Sequence, residues 1–341
     1  MTSVPTGIVL VTGPTGFLGQ RVVRRLAETG RPVRALVRPG TDSGSFDACL
    51  SGVSNPLVEI VPASFSDLAA LRRAVVGVEA ILHIAASKTG SAASQVANNV
   101  VGSDNLFRTA VELSVRRFVL VSSFGVIGAS QLPRASLVDE SVPMDPHPER
   151  RDPYSFAKHR QEALGWKYHR EAGLPLVVVR PGPIFGPGQP ILVGRVGLNL
   201  FGLFLHLGGG NTIPLTHVDN CADAVVKAGL VPDIEGEVFC IVDDCLPTSR
   251  QLLRQYRRQV APVPFVRVPF VLLRQLARLN ASYSRRTNGH LPPVFTPYKV
   301  DAMWKGQRYS NDKAKRLLGW TPHIPMEEAL SMTFAAQRRS C

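Results

Sequence analysis

Along the first 180 residues the apolar positions alternate between two rhythms. Short runs rich in β-branched residues, at 7–12, 32–37, 58–62, 80–84, 118–122 and 176–180, predict strands. Between them, at 20–28, 68–76, 95–113 and 154–171, apolar residues recur at helical spacing. Strand and helix in repetition imply an α/β, doubly wound parallel sheet covered on both faces. Beyond residue 180 the rhythm breaks into a Pro- and Gly-rich segment, an apolar stretch at 191–210 and a long basic region. The division expected is therefore 1–180 as the sheet domain. Residues 181–341 form a mixed region with a smaller C-terminal lobe and closing segments that return to the sheet.

The stretch 191–210 is interrupted by Arg195, Asn199 and His206 and runs into Gly208, Gly209 and Gly210. It falls short of the about 20 mostly apolar residues that a membrane-spanning helix needs. A mobile segment covering a substrate is expected instead. The opening MTSVPTGIVLVTG has neither a basic leader nor a long apolar core, and reads as a strand rather than a signal peptide.

With 341 residues and 45% hydrophobic content the chain can bury a large core. Its charge changes the picture more: only 19% of residues are charged, yet the formal net charge is +13. Much of that is local, because no Asp or Glu stands between Asp244 and Asp301 while ten Arg and Lys residues do. Apolar residues interleave with them, giving an amphipathic character from 269 to 279. Three readings compete: a helix whose arginines cover the lobe, a peripheral membrane contact through the basic 250–286 region, and a surface for the diphosphate of a nucleotide sugar. No nucleic-acid-binding module accompanies the charge. Five cysteines without CxxC or Cys/His spacing suggest neither a disulfide framework nor a metal site, which fits a reducing, cytoplasmic setting.

The first strand runs into Thr12-Gly13-Pro14-Thr15-Gly16-Phe17-Leu18-Gly19, and a helix follows. Gly13 allows a tight turn, Gly16 lets the backbone approach a pyrophosphate, and Gly19 permits close packing of helix on strand. The helix N-terminus offers free N–H groups and a positive dipole end to phosphates. The second strand ends in Arg38, about 20 residues past the turn, where an Asp or Glu would favour NAD. A cation there suits the 2′-phosphate of NADP, and the bland alternative is a solvated arginine at a strand end.

Tyr154 and Lys158 stand four apart on one helix face, with Cβ atoms roughly 5–6 Å apart. A phenol ionises near about pH 10, and a neighbouring ammonium lowers an acid's pKa by about 1–3. The strand ending at Val121 carries Ser122 and Ser123 to the sheet edge where ligands bind, and a hydroxyl there can hold a substrate oxygen as it gains charge.

These motifs resemble the extended short-chain dehydrogenase/reductases, a family that includes nucleotide-sugar epimerases and dehydratases. The resemblance covers nearly the whole chain: TGPTGFLG from Thr12, HIAA from His83, NNVVGSDNL from Asn98, VSSFGVIG from Val121, YSFAK from Tyr154, RPGPIFGPG from Arg180, THVDNCADAV from Thr216 and RYSNDKAKRLLGWTP from Arg308. It implies a Rossmann-type fold and a nicotinamide cofactor, NADP preferred or NAD. Tyr154 becomes the general acid/base, Lys158 its pKa-lowering and ribose-binding partner, and Ser123 rather than Ser122 the substrate-orienting hydroxyl. Gly13, Thr15, Gly16, Phe17, Leu18, Gly19 and Arg38 would hold the phosphates and adenosine. Ala85 and Ala86 would pass under the cofactor, and Pro181 and Gly182 would line the nicotinamide. Asn99 would lie on the bordering helix, and His83 reads as a satisfied strand-end histidine.

Departures from the family pattern sharpen the expectation. Ala63-Ser64-Phe65 stands where an adenine-contacting Asp is common, and Phe124-Gly125 replaces the Asp-Glu pair of sugar dehydratases. Ile127 and Pro183 replace a usual Tyr and a substrate-contacting Asn, which implies a less polar pocket. The expected reaction is hydride transfer with a carbonyl or secondary alcohol of a small-molecule, lipid-like or steroid-like substrate. The alternatives are a UDP-sugar 4-epimerase and a non-catalytic dinucleotide-binding scaffold. The family commonly pairs through the helices that contain Asn99 and Tyr154, which implies a homodimer.

Overall fold

In the computed structural model, which describes residues 7–41, 44, 49–287 and 295–339, the alternating runs become a seven-stranded sheet. From one edge the order is Val238–Ile241, Leu176–Pro181, Arg117–Val121, Val78–His83, Ile8–Thr12, Val33–Val37 and Val58–Pro62. Every neighbouring pair is parallel. Side chains alternate across each strand, and both sets are buried: Val9, Val11, Val119 and Val121 on one face, Leu10, Phe118 and Leu120 on the other. The helices Phe17–Glu28 and Val218–Leu230 cover the first face. Leu68–Val75, Gly102–Glu112 and Pro153–Ala172 cover the second. Strand order reverses between Ile8–Thr12 and Val78–His83, and a crevice opens beyond their carboxyl ends, as open α/β sheets do at a switch point.

Three expectations are corrected. The sheet does not end at residue 180, since Val238–Ile241 is its edge strand and Val218–Leu230 packs on its face. The helix expected over 95–113 is three pieces, Ala92–Val96, a π-helical turn Ala97–Val101, and Gly102–Glu112.

The stretch 191–210, expected as a mobile cover, contains the antiparallel strands Gly197–Leu200 and Leu203–His206, with Phe265–Arg267 added in parallel. Phe204 and Val196 bury one face of this small sheet against Leu252, Leu253 and Phe334. Leu198 and Leu205 on the other face pack towards Leu273, Ala277 and Trp304. Among the described residues no helix is long and apolar enough to cross a membrane.

Candidate active site

The Gly-rich turn is shaped by clashes that any side chain would create. Gly13 has φ +66°, and a Cβ there would lie 2.8 Å from the Ala85 Cα. A Cβ on Gly19 would collide with the Gly13 carbonyl oxygen. The helix Phe17–Glu28 starts at Gly16 with no side-chain cap and no acidic residue in its first turn, so its leading N–H groups point unclaimed into the crevice. Such a cradle fits the pyrophosphate of a dinucleotide.

A cavity of about 1070 Å³ extends from this turn across the carboxyl ends of the strands. Its wall brings together all the residues expected to bind cofactor, namely Gly13, Thr15 to Gly19, Arg38, Ala85, Ala86, Pro181 and Gly182, with Ser123, Tyr154 and Lys158. Arg38 is exposed and lines the same cavity as Ser64, Phe65 and Ser66. The π-helical turn positions buried Asn99, whose Oδ1 accepts from the Ser87 N–H at 2.7 Å and whose Nδ2 donates to the Ser87 carbonyl at 3.0 Å. It thereby fixes the segment that passes under the cavity.

At the other end, Asp152 caps the helix Pro153–Ala172, accepting from the Ser155 N–H at 3.0 Å, and Tyr154 follows in the first turn. Burial pushes the Tyr154 phenol up to about 12, the Asp152 carboxylate adds to that, and a hydrogen bond with Ser123 pulls the other way. Ser122 and Ser123 divide their roles through long-range contacts. The Ser122 hydroxyl donates to Glu162 at 2.5 Å, and buried Glu162 is paired with Arg180, also at 2.5 Å. Ser123 is left facing the cavity and the phenol.

The expected pairing of Lys158 with the phenol is not the one formed. Lys158 Nζ donates to the Val121 carbonyl at 2.7 Å and to Gln161 Oε1 at 2.8 Å. Burial draws its ammonium down to about 7, with the nearby Lys88 contributing and Glu162 opposing. Gln161 links onward to His83, which also meets Thr12 Oγ1 at 2.7 Å and Ser103 Oγ at 2.8 Å. Burial, helped by Lys158, draws His83 down to about 3, so it is a neutral structural link.

Sequence reasoning missed Lys88, whose ammonium lies 5.8 Å from the centre of the Tyr154 ring. The signal was its place directly after the Ala85-Ala86-Ser87 backbone under the cavity. Ile127, expected to make the pocket less polar, is a core residue packed with Val138 and Val142, whereas Pro183 does line the cavity. Phe124, Ile184, Val193 and Met303 extend this apolar wall.

Fold and site together define a dinucleotide-dependent α/β enzyme. A model of the NAD dependent epimerase/dehydratase family matches residues 9–241, and the chain belongs to that family. The 3beta-hydroxysteroid-dehydrogenase/decarboxylase isoform 1 of Arabidopsis thaliana is 27% identical over 361 residues, covering 95% of this chain and 78% of that protein. Sterol demethylase protein B of Methylococcus capsulatus is 29% identical over 328 residues, covering 92% and 93%. Among solved structures, UDP-glucuronic acid 4-epimerase from Bacillus cereus in complex with NAD shares the fold with TM-score 0.71 and 18% identity, over 98% of this chain and 99% of that one. By its family and relatives the protein is an NAD(P)-dependent oxidoreductase of the extended short-chain type.

Proposed function

We propose that the protein transfers hydride between NADP(H) and a ketone or secondary alcohol on an apolar, sterol-like or lipid-like substrate. The observation that carries this reading is the cavity that brings Ser123, Tyr154 and Lys158 together with the glycine-rich turn, with Phe124, Pro183, Ile184, Val193 and Met303 among its lining residues. A bound nicotinamide ring supplies or accepts the hydride. Ser123 Oγ holds the substrate oxygen as charge develops on it, and Tyr154 passes its phenolic proton to that oxygen. A phenol pushed up to about 12 keeps its proton at neutral pH and can donate it when a carbonyl is reduced. Lys158, anchored on the Val121 carbonyl and Gln161, would orient the nicotinamide ribose.

Preference for NADP is supported by Arg38, an exposed cation that lines the cavity beside the end of the second strand. The names of the steroid dehydrogenase/decarboxylase and the sterol demethylase protein support the substrate class. A substrate of that class is met at a lipid surface, and the basic 250–286 region is where a cytoplasmic chain would make peripheral contact. A homodimer through the helices bearing Asn99 and Tyr154 is compatible with this reading.

The test is cofactor turnover with 3-hydroxysteroids, 3-ketosteroids and long-chain ketones, beside a UDP-sugar epimerisation assay. Wild type is expected to consume NADPH or form it. Tyr154→Phe is expected to lose about 100- to 10,000-fold in turnover while still binding cofactor. Unchanged turnover in Tyr154→Phe, or epimerisation with tightly retained NAD and no net NADPH consumption, would overturn the reading.

A further inference from the structure

A second cavity, of about 610 Å³, lies beside the one that holds the Gly-rich turn and Tyr154. It is formed by the 3₁₀ turn Pro148–Arg150, the helix Phe270–Arg286 and the start of the helix Pro297–Trp304. Five of its lining residues are cations, Arg150, Arg151, Arg278, Arg285 and Lys299, and among the described residues Glu149 is its one acid. Like charges gathered in one concave site repel one another and concentrate anions there.

Several cations of this region already have partners. Arg151 is paired with Asp145 at 2.8 Å, and Arg150 lies over the Tyr298 ring, 4.4 Å from its centre. Arg274, which does not line the cavity, is held by both oxygens of Asp301, at 3.0 and 3.1 Å. Arg278 and Arg285 instead donate to neutral oxygens of their own helix, Gln275 Oε1 and Ser282 Oγ, both at 3.2 Å.

The spacing of Arg278, Ala281, Ser282 and Arg285 puts them on one helix face, with the small Ala281 between the two arginines. The large apolar side chains of the helix point elsewhere. Leu273 packs towards the small sheet, and exposed Leu272, Leu276 and Leu279 lie about 140° around the helix from the arginines. The cavity wall itself has no apolar residue larger than Pro297 among those described, and Ser282, Ser284 and Thr296 add hydroxyl groups. Cations and hydroxyls without an apolar flank are complementary to a soluble anion rather than to a bilayer. Guanidinium forks match the oxygens of a phosphate.

We infer that this cavity is a second ligand site, which takes the phosphate or diphosphate group of a soluble small molecule between Arg278 and Arg285. Arg151, three residues ahead of Tyr154, lines both cavities, so one side chain borders both sites.

The test is calorimetric titration of the full chain with inorganic pyrophosphate, at constant ionic strength and with the Gly-rich turn saturated by a nicotinamide dinucleotide. A single saturable site is expected, and acetate should give none. Arg278→Gln and Arg285→Gln should each weaken binding at least about ten-fold, the loss of a charge-assisted hydrogen bond. Arg274→Gln removes the same charge from the same helix but outside the cavity. It should stay within about two-fold of wild type, because salt screens a charge that makes no contact. Each variant is first shown to keep its melting temperature.

Pyrophosphate binding that Arg278→Gln and Arg285→Gln leave unchanged overturns the inference. So does an equal loss in Arg274→Gln, since the attraction is then one of diffuse net charge. Absence of pyrophosphate binding overturns it as well; sedimentation with phosphatidylglycerol vesicles in that case would assign the cavity to a lipid headgroup. Binding is read without turnover, so its failure leaves the oxidoreductase reading standing, and a failed turnover assay leaves the second site standing.

Discussion

Lys158 offers a test of the electrostatics that needs no substrate. Its ammonium is buried and drawn from 10.5 down to about 7. Below the folded value the group is charged in both the native and the unfolded chain, and the native state bears the full cost of burying the charge. Between about pH 7 and about pH 10.5 the unfolded chain binds the extra proton, so native stability rises with pH across that window. Each pH unit within it is worth about 1.4 kcal/mol. From about pH 6 to about pH 9 the wild type crosses roughly two units of the window, a gain of about 3 kcal/mol from this residue.

Lys158→Met removes the titration and leaves a side chain of similar length. It also removes the bonds to Val121 and Gln161, which shifts its stability by an amount nearly independent of pH. The quantity to read is therefore the change in the wild-type-minus-variant difference, from urea unfolding at about pH 6 and about pH 9 without cofactor. The wild type should gain on the variant by about 3 kcal/mol as pH rises. His83, held down to about 3, titrates below this range. Parallel pH dependences, or a wild type that loses ground with rising pH, would refute the assignment of Lys158 as a buried, easily neutralised amine.

Gly19→Ala should abolish dinucleotide binding, measured by quenching or calorimetry, because its Cβ meets the Gly13 carbonyl; binding that persists would show that the turn can open. Arg38→Glu should reverse the preference between NADPH and NADH, read as the ratio of kcat/KM, and an unchanged ratio would remove Arg38 from the adenosine site. Glu162→Gln should cost about 3–5 kcal/mol in urea unfolding, because it leaves the buried Arg180 guanidinium without its charge partner. A loss below about 1 kcal/mol would mean that water or another acid takes over.

Legibility of the fold followed how local each signal is. Strands such as Val58–Pro62 stand out because several β-branched residues fall between helical patterns. The edge strand Val238–Ile241 is only four residues long, set among Asp233, Glu235, Glu237, Asp243 and Asp244, and only pairing with Leu176–Pro181 makes it a strand. The hairpin at 197–206 has period-two apolar residues on each arm, Leu198 with Leu200 and Leu203 with Leu205. Its turn uses Phe201 and Gly202, both with positive φ. That turn geometry is ordinarily signalled by Asn-Gly or Asp-Gly, so a bulky aromatic at its first position hid it.

The site divides along the same line, between what a motif places and what its surroundings decide. Spacing put Tyr154 and Lys158 on one helical face and both serines at one strand end, and the cavity holds all four. Which hydroxyl serves the substrate was settled by Glu162, which claims Ser122 because Arg180 holds that carboxylate in place. Where the lysine points was settled by the Val121 carbonyl and by Gln161, whose own amide is fixed by Ser103 at 2.6 Å. A four-residue spacing fixes two Cα atoms but leaves a four-carbon side chain free to choose among distant partners. The phenol consequently sits in an environment set by burial and Asp152, with Lys88 approaching its ring from another element. The proton-holding state of Tyr154 is thus a product of tertiary enclosure, with the Asp152 carboxylate adding to it, rather than of the YxxxK pattern.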